Sequence, residues 1–156
     1  MKLFKNEQLL FIGTESKLGR TQIIGILKGC STNTASFVHL YQIYDGVKFP
    51  SGAMMFRNKF YTIRKGTWDK IEVEYFLTIK NIIEIKEIRK ETNSDIFELN
   101  QSHIPFADDG CGNIIWMELS TGIIKVFYHE YELDEGLITI APTFDDFCSS
   151  LENWIL

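Results

Sequence analysis

Beyond Lys90 the chain has almost no positive charge: residues 91–156 contain one cation, Lys125, against thirteen carboxylates. Cysteine is also scarce. Cys30, Cys111 and Cys148 are odd in number, far apart and without a C-x-x-C pair, which argues against a disulfide framework and a structural zinc site and favours a reducing compartment. Long apolar runs are missing too. Leu9–Ile12 is the longest uncharged apolar stretch near the start, far short of a signal core or a bilayer span, so the expected location is the cytoplasm, with no membrane partner. His39, His103 and His129 stand apart from one another and from cysteine, leaving no transition-metal ligand set at a recognised spacing. Asp108 and Asp109 lack the alternating oxygen ligands and the twelfth-position glutamate of an EF-hand. Gly110 and Gly112 precede a strand, so no helix N-terminus is available for a phosphate. No cofactor is expected, and no internal repeat or low-complexity tract is present.

What is present is ordinary for a globular chain: 156 residues, 45% hydrophobic and 24% charged, with twelve phenylalanines. One domain of this length removes roughly 70% of its unfolded surface from water. The net charge of −5 is unevenly distributed, because residues 1–90 carry fifteen Lys or Arg against eight Asp or Glu. A carboxylate-rich face made from the later part would steer cationic partners and repel nucleic acid and anionic membrane. Lys48, Arg57, Lys59, Arg64, Lys65 and Lys70, interleaved with Phe56, Phe60, Tyr61 and Trp68, have the composition of a single-strand-binding surface. An acidic chain without a recognised nucleic-acid motif makes edge-protecting lysines the better reading, so no direct nucleic-acid binding is expected.

Residues 103–119 read as a hairpin: a short apolar strand, a turn holding Asp108, Asp109, Gly110, Gly112 and Asn113, and a second strand. Pro105 cannot donate to a ladder, so its strand is an edge or its missing N–H faces away from a neighbour. Thr34 can cap a helix with Phe37, Leu40, Tyr41 and Tyr44 on one face, ended by Asp45–Gly46. Ala53–Phe56 and Phe60–Ile63, joined by Arg57–Lys59, read as a further hairpin. Ile71, Val73 and Tyr75 alternate with Glu72 and Glu74, the pattern of a half-buried strand. Thr78 then caps a helix carrying Ile79, Ile82 and Ile83, and polar residues 91–102 read as a long loop. Near the start, Leu9–Ile12 is a candidate strand, while Gln22–Leu27 fits strand or helix. Thr143 with Asp146 is a near capping box opening a last helix that puts Phe144, Phe147, Cys148, Leu151, Trp154 and Ile155 on one face. The sum is a single α+β domain over residues 1–156, an antiparallel sheet of hairpins covered mainly on one face by helices.

The order apolar-Pro-Phe-Ala-Asp-Asp-Gly-x-Gly-Asn, followed by Glu118–Leu119, the Ser120–Gly122 turn, a strand to Tyr128, His129–Glu130, an Ile138–Ile140 strand and Phe144-x-x-Phe147, resembles the SUKH superfamily. Leu40–Gly46 and Glu74–Thr78 are similar to the family pattern as well, whereas its Leu-Pro-x-x-Tyr entry is replaced by Ser36–His39. The resemblance implies a cytoplasmic bacterial immunity domain that binds and neutralises a cognate toxin domain, often a nuclease. Nucleases are basic where they hold phosphates, so an acidic inhibitor gains steered association. Charge and exposure, not a family motif, single out Asp108, Asp109, Glu130, Glu132, Asp134 and Glu135 as contacts, with Tyr131 as an aromatic anchor. The alternative within the superfamily is a regulatory or scaffold domain, related to fungal cell-wall regulators, that binds proteins without a toxin. Cys111 and His129 are the one imaginable nucleophile and base. With no orienting group, they read better as a turn filler and a solvated strand end, and no enzyme is expected.

Overall fold

The computed structural model describes residues 2–30, 34–65 and 67–154. Among the described residues eight strands form one antiparallel sheet: β1 (Ile12–Glu15), β2 (Tyr44–Phe56), β3 (Lys70–Phe76), β4 (His103–Asp108), β5 (Ile114–Glu118), β6 (Ile124–Phe127), β7 (Leu137–Ala141) and β8 (Glu152–Asn153). The order is β1-β2-β3-β4-β5-β6-β7, and β8 also pairs with β2. β1 lies against the start of β2, and β8 against Ala53 and Met54. Six helices are described: α1 (Arg20–Ile26), α2 (Ala35–Ile43), α3 (Ile79–Lys86), α4 (Ser94–Asn100), α5 (Leu133–Gly136) and α6 (Phe144–Ser150).

The principal core lies on one face, where Phe37, Leu40 and Tyr41 of α2 and Phe144 and Phe147 of α6 meet the alternate residues Val47, Phe49, Ile104, Phe106, Ile115 and Val126 of the sheet. Phe76 is its hub, with ring centroids 5.6–6.3 Å from Phe49, Phe106, Phe144 and Phe147. A smaller cluster on the reverse face packs Ile96 and Leu99 of α4 onto Trp116 and Phe127. On the reverse face of β1–β3, Ile12, Lys48, Glu72 and Glu74 are exposed, while Met54, opposite Glu72, is buried.

The expected hairpin is β4–β5, with Ile104 opposite Met117 and Asp108 opposite Ile114. Pro105 sits at an irregularity of that pairing and beyond the Tyr75–Phe76 stretch that β3 pairs with β4, so its missing N–H is tolerated inside the strand order. Gln22–Leu27 resolves as helix α1, and the Leu9–Ile12 strand begins only at Ile12. Four expectations are corrected. Phe60–Ile63 is not a strand, because β3 already partners β2; Arg57, in a 3-10 turn over Arg57–Lys59, donates from Nε to the Thr139 carbonyl (2.8 Å) and from Nη1 to the Trp68 carbonyl (2.6 Å). Asp45–Gly46 does not cap α2: the helix runs straight into β2, Gly46 occupies the left-handed region at φ +95, and Asp45 instead accepts from the Ile79 amide at the head of α3 (2.8 Å). Residues 91–102 are not a loop throughout but contain α4, capped by Asn93, whose Oδ1 accepts from the Ile96 amide (3.1 Å). Finally, α6 stops at Ser150, because Glu152 and Asn153 are taken up as β8 and Asn153 exchanges bonds with Leu10 and Gln8. Trp154 is therefore off the helix, under the Lys70 ammonium (3.4 Å to the ring centroid); Ile155 lies outside the described residues.

Candidate functional site

Both aspartates of the β4–β5 turn build it. Asp109 accepts from the amides of Cys111 (2.8 Å) and Asn113 (3.1 Å) and from the Asn113 side-chain amide (2.7 Å), and Asp108 accepts from the Gly110 amide. Gly110, at φ +84, occupies the left-handed region that favours glycine, and the carboxylate of Glu74 lies where a side chain there would stand. That close approach brings Glu74, and with it Glu72, onto the turn.

The result is a face of four carboxylates from two parts of the chain: Glu72 and Glu74 from β3, Asp108 and Asp109 from the turn. Neighbouring groups register their combined field. The exposed Cys111 thiol is pushed up by Asp109 first, then by slight desolvation and by Glu72, Glu74 and Asp108. Tyr75 is pushed up by burial and then by Asp108 and Glu74. Tyr128 is pushed up to about 12 by burial, Asp109 and Glu72, against the nearby Arg57 guanidinium. Asp108 is raised by desolvation, with Asp109 and Glu74 adding to it against the Gly110 hydrogen bond. Among the described residues the acid–base pairs are Lys2–Glu7, Lys59–Glu152, and Lys125 and His103 with Glu118. None of them neutralises this face. Among the described residues no three His, Cys, Asp or Glu side chains converge as metal ligands.

Aromatic rings flank the carboxylates. Trp68, two residues before β3, stacks on Tyr128 at 4.6 Å and 21° and meets Tyr131 edge-on at 5.1 Å. Tyr131 is 46% exposed, the position expected of an anchor. His129 ties the two loops together: its amide donates to Asn113 Oδ1 (3.1 Å) and its Nε2 lies 3.0 Å from the Cys111 carbonyl. The imidazole thus engages Cys111 through the main chain while nearby carboxylates disfavour the thiolate, the reverse of what an activated nucleophile needs.

Of the residues singled out from sequence, Asp108 and Asp109 lie within the face, and Glu130 and Tyr131 follow His129 directly beside it. Glu132, Asp134 and Glu135 are exposed on the cap and first turn of α5, and none of them figures in the shifts of Cys111, Tyr75 or Tyr128. Sequence reasoning missed Glu72, Glu74 and Trp68. The glutamates read as the solvent side of a strand in the basic part of the chain, and Trp68 as part of the basic stretch; the exposed i, i+2 acidic pair was the available signal.

Along the reverse face two hollows adjoin, one of about 400 Å³ lined by Ile12, Thr14, Lys48, Glu74 and Asn81, the other of about 290 Å³ lined by Pro50, Glu72, Asp109 and Trp154. Among the described residues no helix is long and apolar enough to cross a membrane. No curated protein matches the chain. Residues 35–150 match the model of the SMI1 / KNR4 family (SUKH-1), a span that opens with the first residue of α2 and closes with the last of α6. With the family's span reproduced from α2 to α6 and its Asp-Asp-Gly hairpin at the heart of the acidic face, the chain belongs to the SMI1 / KNR4 family (SUKH-1), a family of immunity and regulatory domains.

Proposed function

We propose that this chain is a cytoplasmic bacterial immunity protein that binds a cognate toxin domain, a basic nuclease, one to one, and neutralises it by occlusion, with no turnover. The observation that carries the reading is the set of carboxylates Glu72, Glu74, Asp108 and Asp109, held beside Trp68, Tyr128 and Tyr131, none of the four in an ion pair among the described residues. Unneutralised like charges on one face are unfavourable for the free protein and become favourable when a cationic surface covers them. Glu130, Glu132, Asp134 and Glu135 extend the negative field beyond the aromatic rings, and Tyr131 provides the apolar contact. A phosphate-binding groove is the complementary surface.

The test is co-expression with the toxin encoded beside its gene. Wild-type chain is expected to protect cells, and reversal of Glu130, Glu132, Asp134 and Glu135 to Lys to weaken protection and flatten the salt dependence of binding. Unchanged protection and unchanged salt dependence would remove the electrostatic mechanism. Protection lost in a Cys111→Ser, His129→Ala double variant that remains folded and still binds the toxin would replace stoichiometric binding with catalysis.

A further inference from the structure

We propose that two copies of this chain pair through β1, each extending the sheet of the other across a two-fold axis. β1 is one end of the strand order and β7 the other. The β7 edge is engaged, because Arg57 donates from Nε to the Thr139 carbonyl (2.8 Å). β1 has β2 as its only main-chain partner among the described residues, so about half of its amides and carbonyls point away from the sheet. Native sheets guard such an edge with lysine or proline, and residues 8–14 contain neither; they carry no charge at all. Ile12 is 63% exposed and Leu10 55%, more than any other large apolar side chain among the described residues. Just past the strand the Ser16 amide bonds to the carbonyl of Ile43 (2.9 Å), itself exposed, and Phe11, Ile43 and Tyr44 line a hollow of about 200 Å³.

An open edge accepts an extended segment by main-chain pairing, and geometry and charge select the same strand of a second copy as that segment. Two identical strands laid antiparallel are related by a two-fold axis, so the contact is complete at two chains. With the axis at Ile12, the two isoleucines face each other, Leu10 of each copy meets Thr14 of the other, and Glu15 falls opposite Leu9. No charge then stands opposite another. The irregularity between Gly13 and Glu15 bounds the pairing at residues 10–14. Nor do the acidic faces oppose association. Glu74 is on β3, two strands in from the edge, so the two copies of Glu74 are separated by five strand spacings, about 24 Å, against a Debye length of about 8 Å in physiological salt. The pairing leaves each acidic face in place and does not depend on the toxin reading.

Sedimentation equilibrium of the full chain tests this directly. A strand pair this short buries less than about 1,200 Å² and is weak, so the particle is expected to pass from one chain to two between roughly 1 µM and 1 mM, with amide protection rising in β1. Ile12→Lys sets two ammonium groups facing each other at the axis; at an exposed position it leaves thermal unfolding unchanged and is expected to weaken association at least about tenfold. Gln101→Lys adds the same charge at the exposed end of α4 and leaves association as it was. In a Cys30→Ser, Cys111→Ser background, where the remaining Cys148 is buried, Ile12→Cys is expected to give a covalent dimer on oxidation, because facing residues of an antiparallel pair have Cα atoms about 4.5–5.5 Å apart, within disulfide reach. A single chain per particle at the highest concentration, association unweakened by Ile12→Lys, growth beyond two chains, or a dimer that Ile12→Cys does not cross-link would each overturn the proposal.

Discussion

Cys111 is the residue that reports the acidic face. Its thiol is exposed, yet Asp109 and the neighbouring carboxylates hold its pKa up, so at neutral pH less of it is thiolate than in an unperturbed cysteine. In a Cys30→Ser background, where the other remaining thiol, Cys148, is buried, alkylation of Cys111 at pH 7.5 is expected to be slow in low salt. It should accelerate about two- to fivefold as the Debye length shrinks from about 30 Å at 0.01 M towards 3 Å at 1 M. Glu72→Gln with Glu74→Gln should produce much of that acceleration without salt. A rate indifferent to both would mean that the four carboxylates do not act together at this point. Asp108 and Asp109 themselves were legible in sequence in both of their roles, as turn residues that bond back onto the main chain and as negative charges. Glu74 was not, because its place beside Gly110 depends on β3 and β4 becoming neighbours, which no local pattern of either strand encodes.

Among the elements, several with a local signal stand where the sequence puts them. Thr78 and Thr143 cap α3 and α6, accepting from the Asn81 and Asp146 amides, and β4 to β7 stand at apolar segments, whereas Thr34 precedes α2 without a side-chain cap bond. The misses fall where a distant segment decides: β8 is drawn from the end of the expected last helix by β2, and α4 exists because Ile96 and Leu99, two apolar residues in a polar stretch, find Trp116. Helix α4 is also fastened by charge. Asn100 and His103 present carbonyls to the Lys86 ammonium (2.7 and 3.1 Å). The His103 ring has Nδ1 2.8 Å from Ser102 Oγ and Nε2 3.2 Å from Lys125 Nζ, with Glu118 Oε2 at 3.6 Å. Burial first, then Lys125, holds the imidazole below its ordinary pKa. An imidazole that stays neutral in the folded chain while the unfolded chain takes up the proton makes stability fall as pH drops below about 6.5. Glu118, held low by Lys125 and Thr121, releases its share only below about pH 4.5, outside that window. Urea unfolding is therefore expected to give a midpoint that declines from pH 7.5 to pH 5, and His103→Gln to flatten the slope. An equal slope in the variant would assign it elsewhere.

The molecule as a whole is joined through Phe76, whose ring meets Phe4 of the N-terminal segment, Phe49 of β2, Phe106 of β4, and Phe144 and Phe147 of α6. Phe76→Ala is expected to cost about 3–5 kcal/mol, a large share of the roughly 5–15 kcal/mol of a typical domain, and to lower the denaturant midpoint while leaving one transition. Loss of one part of the sheet before the rest would show that the ring is not the shared centre. Charge at this scale is arranged by folding as well. Lys125, the single cation after Lys90, turns inward to Glu118 at 2.7 Å and so withdraws from the surface, while Lys59 draws Glu152 aside at 3.6 Å. Composition, local capping and strand alternation were enough to settle the α+β class, the Asp-Asp-Gly hairpin and the excess of carboxylates, because those depend on residues within a few positions of one another. Which carboxylates share a face, and that β3 contributes two of them, came from the long-range pairing of β3 with β4, which sets Glu72 and Glu74 near the turn residues Asp108 and Asp109, more than thirty residues further along the chain.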